Sequence, residues 1–173
     1  MGGVGLAVPW SIDRLSIWLS ENFTLGELEY SDTAIENGWS NLAPREAIVN
    51  LTVMVREIPQ KLRDYIGVPL LTLSGYRSPQ VNRAVGGADH SLHQIGGAID
   101  CRSAGISNEE LIQIAQRLKL PIDKAIDELP HSSTGGWTHF QTPRNMREKP
   151  RGEVWLWTGE VDANGKPIYE RMA

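Results

Sequence analysis

Three side chains of this 173-residue sequence have the types and spacing to do chemistry together: His93 and Asp100, within Ser-Leu-His-Gln-Ile-Gly-Gly-Ala-Ile-Asp (91–100), and His139, within Gly-Trp-Thr-His-Phe-Gln. Two imidazoles and a carboxylate are the donors that a catalytic zinc takes, with a fourth position left for water. Zinc lowers the pKa of that water to about 7, so the set suggests a hydrolase. Spacing alone is weak evidence, because a His and an Asp seven residues apart arise by chance in many soluble chains. The setting strengthens it. Gly96 and Gly97 permit a tight approach between His93 and the short apolar run Ala98-Ile99, a loop entering a strand that would hold Asp100 rigidly.

The elements that must position these residues can be read from periodicity and punctuation. Ile12, Leu15, Trp18 and Leu19 share one helical face, and Thr24-Leu-Gly-Glu27 is a capping box opening another short helix. From Pro44, apolar residues recur at threes and fours (Ile48, Leu51, Val55, Ile58, Leu62, Ile66), with Gly67 just past the end, which predicts the main core helix. Pro59 inside it must kink or interrupt it. Residues 70–73 read as a buried strand, and Ser107-Asn-Glu-Glu110 caps a helix whose apolar face is Leu111, Ile114, Ala115 and Leu118. Strands follow at 122–128 and 137–141, then a hairpin of 154–158 and 166–171 around Asn164-Gly165. This order predicts an α+β fold, helices packed on a small antiparallel sheet. One domain is expected, with a helical segment over 1–43, a catalytic core over 44–142 and a carboxy-terminal loop and hairpin over 143–173.

Ser-x-His-x-x-Gly-x-Ala-x-Asp followed by Trp-x-His, filled here by Ser91, His93, Gly96, Ala98, Asp100, Trp137 and His139, resembles the zinc peptidases of family M15. Ser-Gly-Tyr-Arg-Ser-Pro (74–79), Asn82 and the stretch from Phe23 to Ala34 carry the same resemblance, which is nearest the phage and prophage branch. The resemblance implies a fold like that of Hedgehog and the D-Ala-D-Ala peptidases, Zn²⁺ as cofactor with His93, Asp100 and His139 as ligands, and the stem peptide of bacterial peptidoglycan as substrate. It also selects a general base. Asp127 and Glu128 alternate on a strand, so only one can face the metal, and the match of Ile-Asp-Lys-Ala-Ile-Asp-Glu-Leu to the family stretch assigns Glu128 and leaves Asp127 outward. Arg77, in Gly-Tyr-Arg-Ser-Pro, can staple its own loop, bind a substrate carboxylate or stabilise an oxyanion; the resemblance favours the substrate roles. Ser91 is a candidate substrate contact or a turn former. The connection over 130–136 is longer than the resemblance leads one to expect, which makes His131 a further candidate ligand.

Composition narrows the partners. A formal net charge of −4 argues against nucleic acid, since phosphate binding calls for a basic face. Arg144, Arg147, Lys149 and Arg151 form a local basic run that reads as a solvated loop. Cys101 has no second cysteine to pair with and, following Asp100 on a strand, is expected to be a buried, inert thiol. No stretch has the pattern of a secretory signal or the length of a membrane span, so the expectation is a monomer made in the cytoplasm that reaches the wall through lysis or inside a virion. Within the enzyme class, carboxypeptidase and endopeptidase activities stay open. The alternative from another class is a non-catalytic wall-binding or virion module with a structural zinc.

Overall fold

Local signals set the helix boundaries. In the computed structural model, which describes residues 14, 16–129 and 135–172, Thr24 caps α1 (Leu25–Glu29) by accepting a hydrogen bond from the Glu27 amide at 3.2 Å. Ser31 caps α2 (Asp32–Asn37) in the same way. The long apolar repeat forms two helices, α3 (Arg45–Glu57) and α4 (Pro59–Ile66), because Pro59 lacks an amide hydrogen and starts a new helix at its first position. Gly67 ends α4 in the left-handed conformation. Then follow β1 (Leu70–Ser74), α5 (Pro79–Ala84), a 3₁₀ turn (Leu92–Ile95), β2 (Ala98–Ser103), α6 (Asn108–Arg117), β3 (Lys124–Glu128), β4 (Trp137–Gln141), β5 (Glu153–Val161) and β6 (Pro167–Arg171).

The strands form one sheet in the order β1-β2-β4-β3-β5-β6. The fold is α+β as expected, but the sheet is mixed: β5 runs parallel to β3 while the other neighbours are antiparallel. The reason lies in the connection after β4. That strand ends at Gln141 opposite Lys124, the start of β3, and the chain returns through Gly152 and Glu153, whose amides bond to the Ile122 and Asp123 carbonyls. β5 therefore begins where β3 begins.

Two further expectations are corrected. Residues 70–73 are not a buried strand: β1 lies at the sheet edge, with Leu71 49% and Leu73 41% exposed. Trp18 does not share a buried helical face with Leu19, because it pairs as an isolated bridge with Thr24 and is 62% exposed. Ile12 and Leu15, the rest of that face, lie outside the described residues.

One apolar cluster joins Leu51, Met54 and Val55 of α3, Leu62 of α4 and Leu111, Ile114 and Ala115 of α6 to Ile99, Cys101, Ala125 and Phe140 on the sheet. Each large aliphatic or aromatic side chain so buried contributes about 1.5–3 kcal/mol. Because strand side chains alternate, burying Ile99 and Cys101 forces Asp100 to the opposite face, and burying Phe140 does the same for His139. The core thus decides which residues face the site.

Candidate metal centre

Asp100 and His139 are direct cross-strand partners in the β2–β4 register, so main-chain pairing brings carboxylate and imidazole together. Asp100 Oδ1 lies 2.8 Å from His139 Nδ1, and Asp100 Oδ2 lies 3.3 Å from His93 Nε2. The two ring nitrogens are themselves 3.3 Å apart. Donors about 2.0–2.1 Å from one tetrahedral zinc stand about 3.3 Å from each other, so the two ring nitrogens and one carboxylate oxygen of these three residues lie close enough together to share a single ion.

The outer contacts of the cluster suit the same purpose. His93 Nδ1 donates to the Gly75 carbonyl at 2.6 Å, which leaves the Nε2 lone pair aimed at Asp100 and His139. Gly75 can make this approach only as glycine, because a Cβ there would stand 2.5 Å from the Leu28 carbonyl oxygen. His139 Nε2 donates to Gln141 Oε1 at 3.2 Å, and the Gln141 main-chain carbonyl accepts from the Asp123 amide at 2.8 Å. His93 is fully buried, and burial lowers its pKa, which favours the neutral ring that ligates metals. Burial raises the Asp100 carboxyl, but the two imidazoles outweigh it and hold the group well below the usual carboxylate range. His93 and Asp100 are thereby biased towards the neutral ring and the ionised carboxylate that zinc takes as ligands.

Glu128, Arg77 and Tyr169 surround this cluster. Glu128 sits on β3, and burial raises its pKa above the ordinary value; the Tyr169 hydroxyl and His139 pull it down, while Asp100 and Asp127 push it up. Tyr169 donates to both carboxylate oxygens, at 3.0 and 3.2 Å. Arg77 lies 3.6 Å from Asp100 through Nη2, and its buried Nε has no partner among the described residues. Burial lowers the guanidinium pKa, with Asp100 and Glu128 opposing. Its loop is held from outside. The Tyr76 amide bonds to the Leu28 carbonyl, the Arg77 amide to the His93 carbonyl, and Asn41 grips Tyr76 O at 3.0 Å and Ser78 N at 2.7 Å.

Ser91 acts in the structure as a turn former, capping the 3₁₀ turn by accepting from the His93 amide at 3.3 Å. Asp127 is away from the metal centre as expected, yet it does not face outward: it is buried on the helix side and accepts from Asn108 at 2.9 Å, anchoring the start of α6. Cys101 is fully buried and burial raises its thiol pKa, which makes it inert. His131 lies outside the described residues. Sequence reading missed Gln141 and Tyr169. Gln141 carries a usable signal, two residues after His139 on a strand and so on the same face. Nothing local marks Tyr169.

A His-Asp-His cluster with His93 and Asp100 buried and His139 half-buried, faced by a carboxylate and a guanidinium, has the make-up of a metal-dependent hydrolase. The family model for Peptidase M15 matches residues 21–128, more than half of the sequence, and the chain belongs to that family of metallopeptidases. His93, Asp100, Arg77 and Glu128 fall within the matched stretch; His139 and the hairpin of β5 and β6 follow it. No curated protein matches the sequence. Among the described residues, no helix is long and apolar enough to cross a membrane.

Proposed function

We propose that this protein is a zinc peptidase that hydrolyses an amide bond in the peptide stem of bacterial peptidoglycan. The observation that carries the reading is the convergence of a zinc-shaped donor triplet, a carboxylate of raised pKa and a guanidinium with an uncommitted donor. His93, Asp100 and His139 would hold Zn²⁺, which when bound activates water at neutral pH and polarises a carbonyl. Glu128 takes the proton of the attacking water and gives it to the leaving amine, a role for which burial has moved its pKa in the right direction. Arg77 binds a substrate carboxylate or steadies the oxyanion. The Ser91 oxygen accepts from the His93 amide, so its own O–H is left to donate to the peptide.

An endolysin-like endopeptidase is the favoured form, since cutting within the stem severs cross-links and trimming a terminal D-Ala does not. The non-catalytic alternative is disfavoured by Glu128, because a wall-binding module has no use for a base beside its metal. Digestion of purified peptidoglycan with mass analysis of the fragments tests this. Internally cut stems, together with a kcat loss in Arg77→Ala, are expected. Free D-Ala as sole product, with Arg77→Ala raising only KM, would mean a carboxypeptidase. Zinc-loaded protein that releases nothing would leave the binding module.

A further inference from the structure

We infer that Tyr169, on the last strand of the carboxy-terminal hairpin, is a positioning residue that holds the Glu128 carboxylate toward the His93, Asp100 and His139 cluster. The inference rests on the reading of Glu128 as the base. Tyr169 pairs with Trp157 across the hairpin, and the parallel register of β3 with β5, continued by one residue, sets Trp157 beside Glu128. The three residues thus form one row across the sheet on the metal side. Glu128 and Tyr169 are two strands apart, about 10 Å between backbones, so only a pair of long side chains can meet across Trp157. They meet at 3.0 and 3.2 Å, one hydroxyl proton shared between two carboxylate oxygens. Tyr169 supplies every hydrogen bond that the Glu128 side chain makes among the described residues. The indole N–H of the intervening Trp157 is buried without a partner, so the donor to the carboxylate is the phenol.

A carboxylate on a rotatable stem reaches its proton only from some rotamers, and a shared hydrogen bond to both oxygens selects among them. The hairpin stands beyond the stretch that the family model matches, yet it contributes the contact that orients the base. It is part of the site rather than an appendage.

The test uses the zinc-loaded full chain and a soluble stem peptide, with Tyr169→Phe, Glu128→Gln and the double variant compared for kcat, KM, zinc content and melting temperature. Phenylalanine keeps the ring and removes only the donor. Tyr169→Phe is expected to lower kcat on the order of tenfold, the scale of one hydrogen bond to a charged group, with KM, zinc and melting temperature unchanged. On the Glu128→Gln background the same change is expected to cost nothing more, since a positioning residue acts through the group it positions. Wild-type kcat in Tyr169→Phe, losses that multiply in the double variant, or a loss that tracks zinc content or melting temperature would each overturn the inference. Undiminished turnover in Glu128→Gln, or none in the unmodified chain, would instead overturn the reading on which it rests.

Discussion

The metal ligands and the reacting side chains are held by different means. Asp100 and His139 face each other because β2 and β4 pair, and His93 is locked by the Gly75 carbonyl, so backbone geometry places all three. Glu128 and Arg77 depend on side chains: Tyr169, forty-one residues away in sequence, for the first, and an ion pair with Asp100 for the second. The contrast separates two kinds of damage. Changes in the ligand half should appear in metal content and stability, and changes in the reacting half in turnover alone.

The largest effect is expected from the ligands. His93→Ala, Asp100→Ala or His139→Ala should reduce zinc from about one per chain to background, abolish peptide hydrolysis and lower the melting temperature toward that of the chelated protein, because metal binding is linked to folding. Elemental analysis after gel filtration checks it. Full zinc in His139→Ala would break the comparison at its first half.

Glu128→Gln comes next. The amide keeps the shape but cannot take a proton, so turnover should drop by roughly 10² or more while zinc content and fold persist. A variant that lost its zinc as well would place Glu128 among the structural supports of the metal and erase the distinction.

A smaller effect is expected at Gly75. A Cβ there meets Leu28 O at 2.5 Å and the Leu28 Cα and Cβ at 2.9 Å, all on the end of α1. Gly75→Ala should destabilise the fold by about 1–3 kcal/mol. By shifting the carbonyl that orients His93, it should also weaken zinc binding about 10–100-fold. Denaturant titration and competition with a chelator read the two effects separately. Lost stability with unchanged zinc affinity would show that the carbonyl does not orient the ring.

The same contrast governs what the sequence reveals. His93, Asp100 and His139 were legible because their positions follow from a turn with Gly96 at its end and two strands whose alternation fixes the face. The capping box at Thr24 and the break at Pro59 were legible for the same local reason. The parallel pairing of β3 and β5 was not, because it depends on where an eleven-residue connection (142–152) returns the chain. Asp127 was read as outward since alternation tells which residues oppose each other but not whether α6 covers the second face. Tyr169 is the extreme case: its row-mate Glu128 is separated from it by one intervening strand and most of the carboxy-terminal segment.

The smallest effect concerns how the hairpin is anchored. Asp123, just before β3, receives the Arg151 side chain at 2.5–3.1 Å and the Arg151 amide at 3.1 Å, at the point where β5 starts, and its own amide donates to the main-chain carbonyl of Gln141, whose side chain bonds His139. The Arg151 hydrogen bond, outweighing burial, holds the Asp123 carboxyl below its ordinary pKa. A depressed folded pKa stabilises the protein above the unfolded value of about 3.9, and that stability is lost as pH falls through the folded value. The unmodified chain should therefore exceed Asp123→Asn in stability near neutral pH, by less than about 1 kcal/mol because Arg151 is exposed, with the gap starting to narrow below about pH 4. Melting curves from pH 3 to pH 7 check this. A gap that did not narrow at all between about pH 5 and pH 3 would mean that Asp123 contributes through shape and not charge. A loss of zinc affinity in Asp123→Asn without loss of stability would show that the Gln141 link joins the hairpin anchor to the ligand half, and the two regions would then be coupled rather than separate.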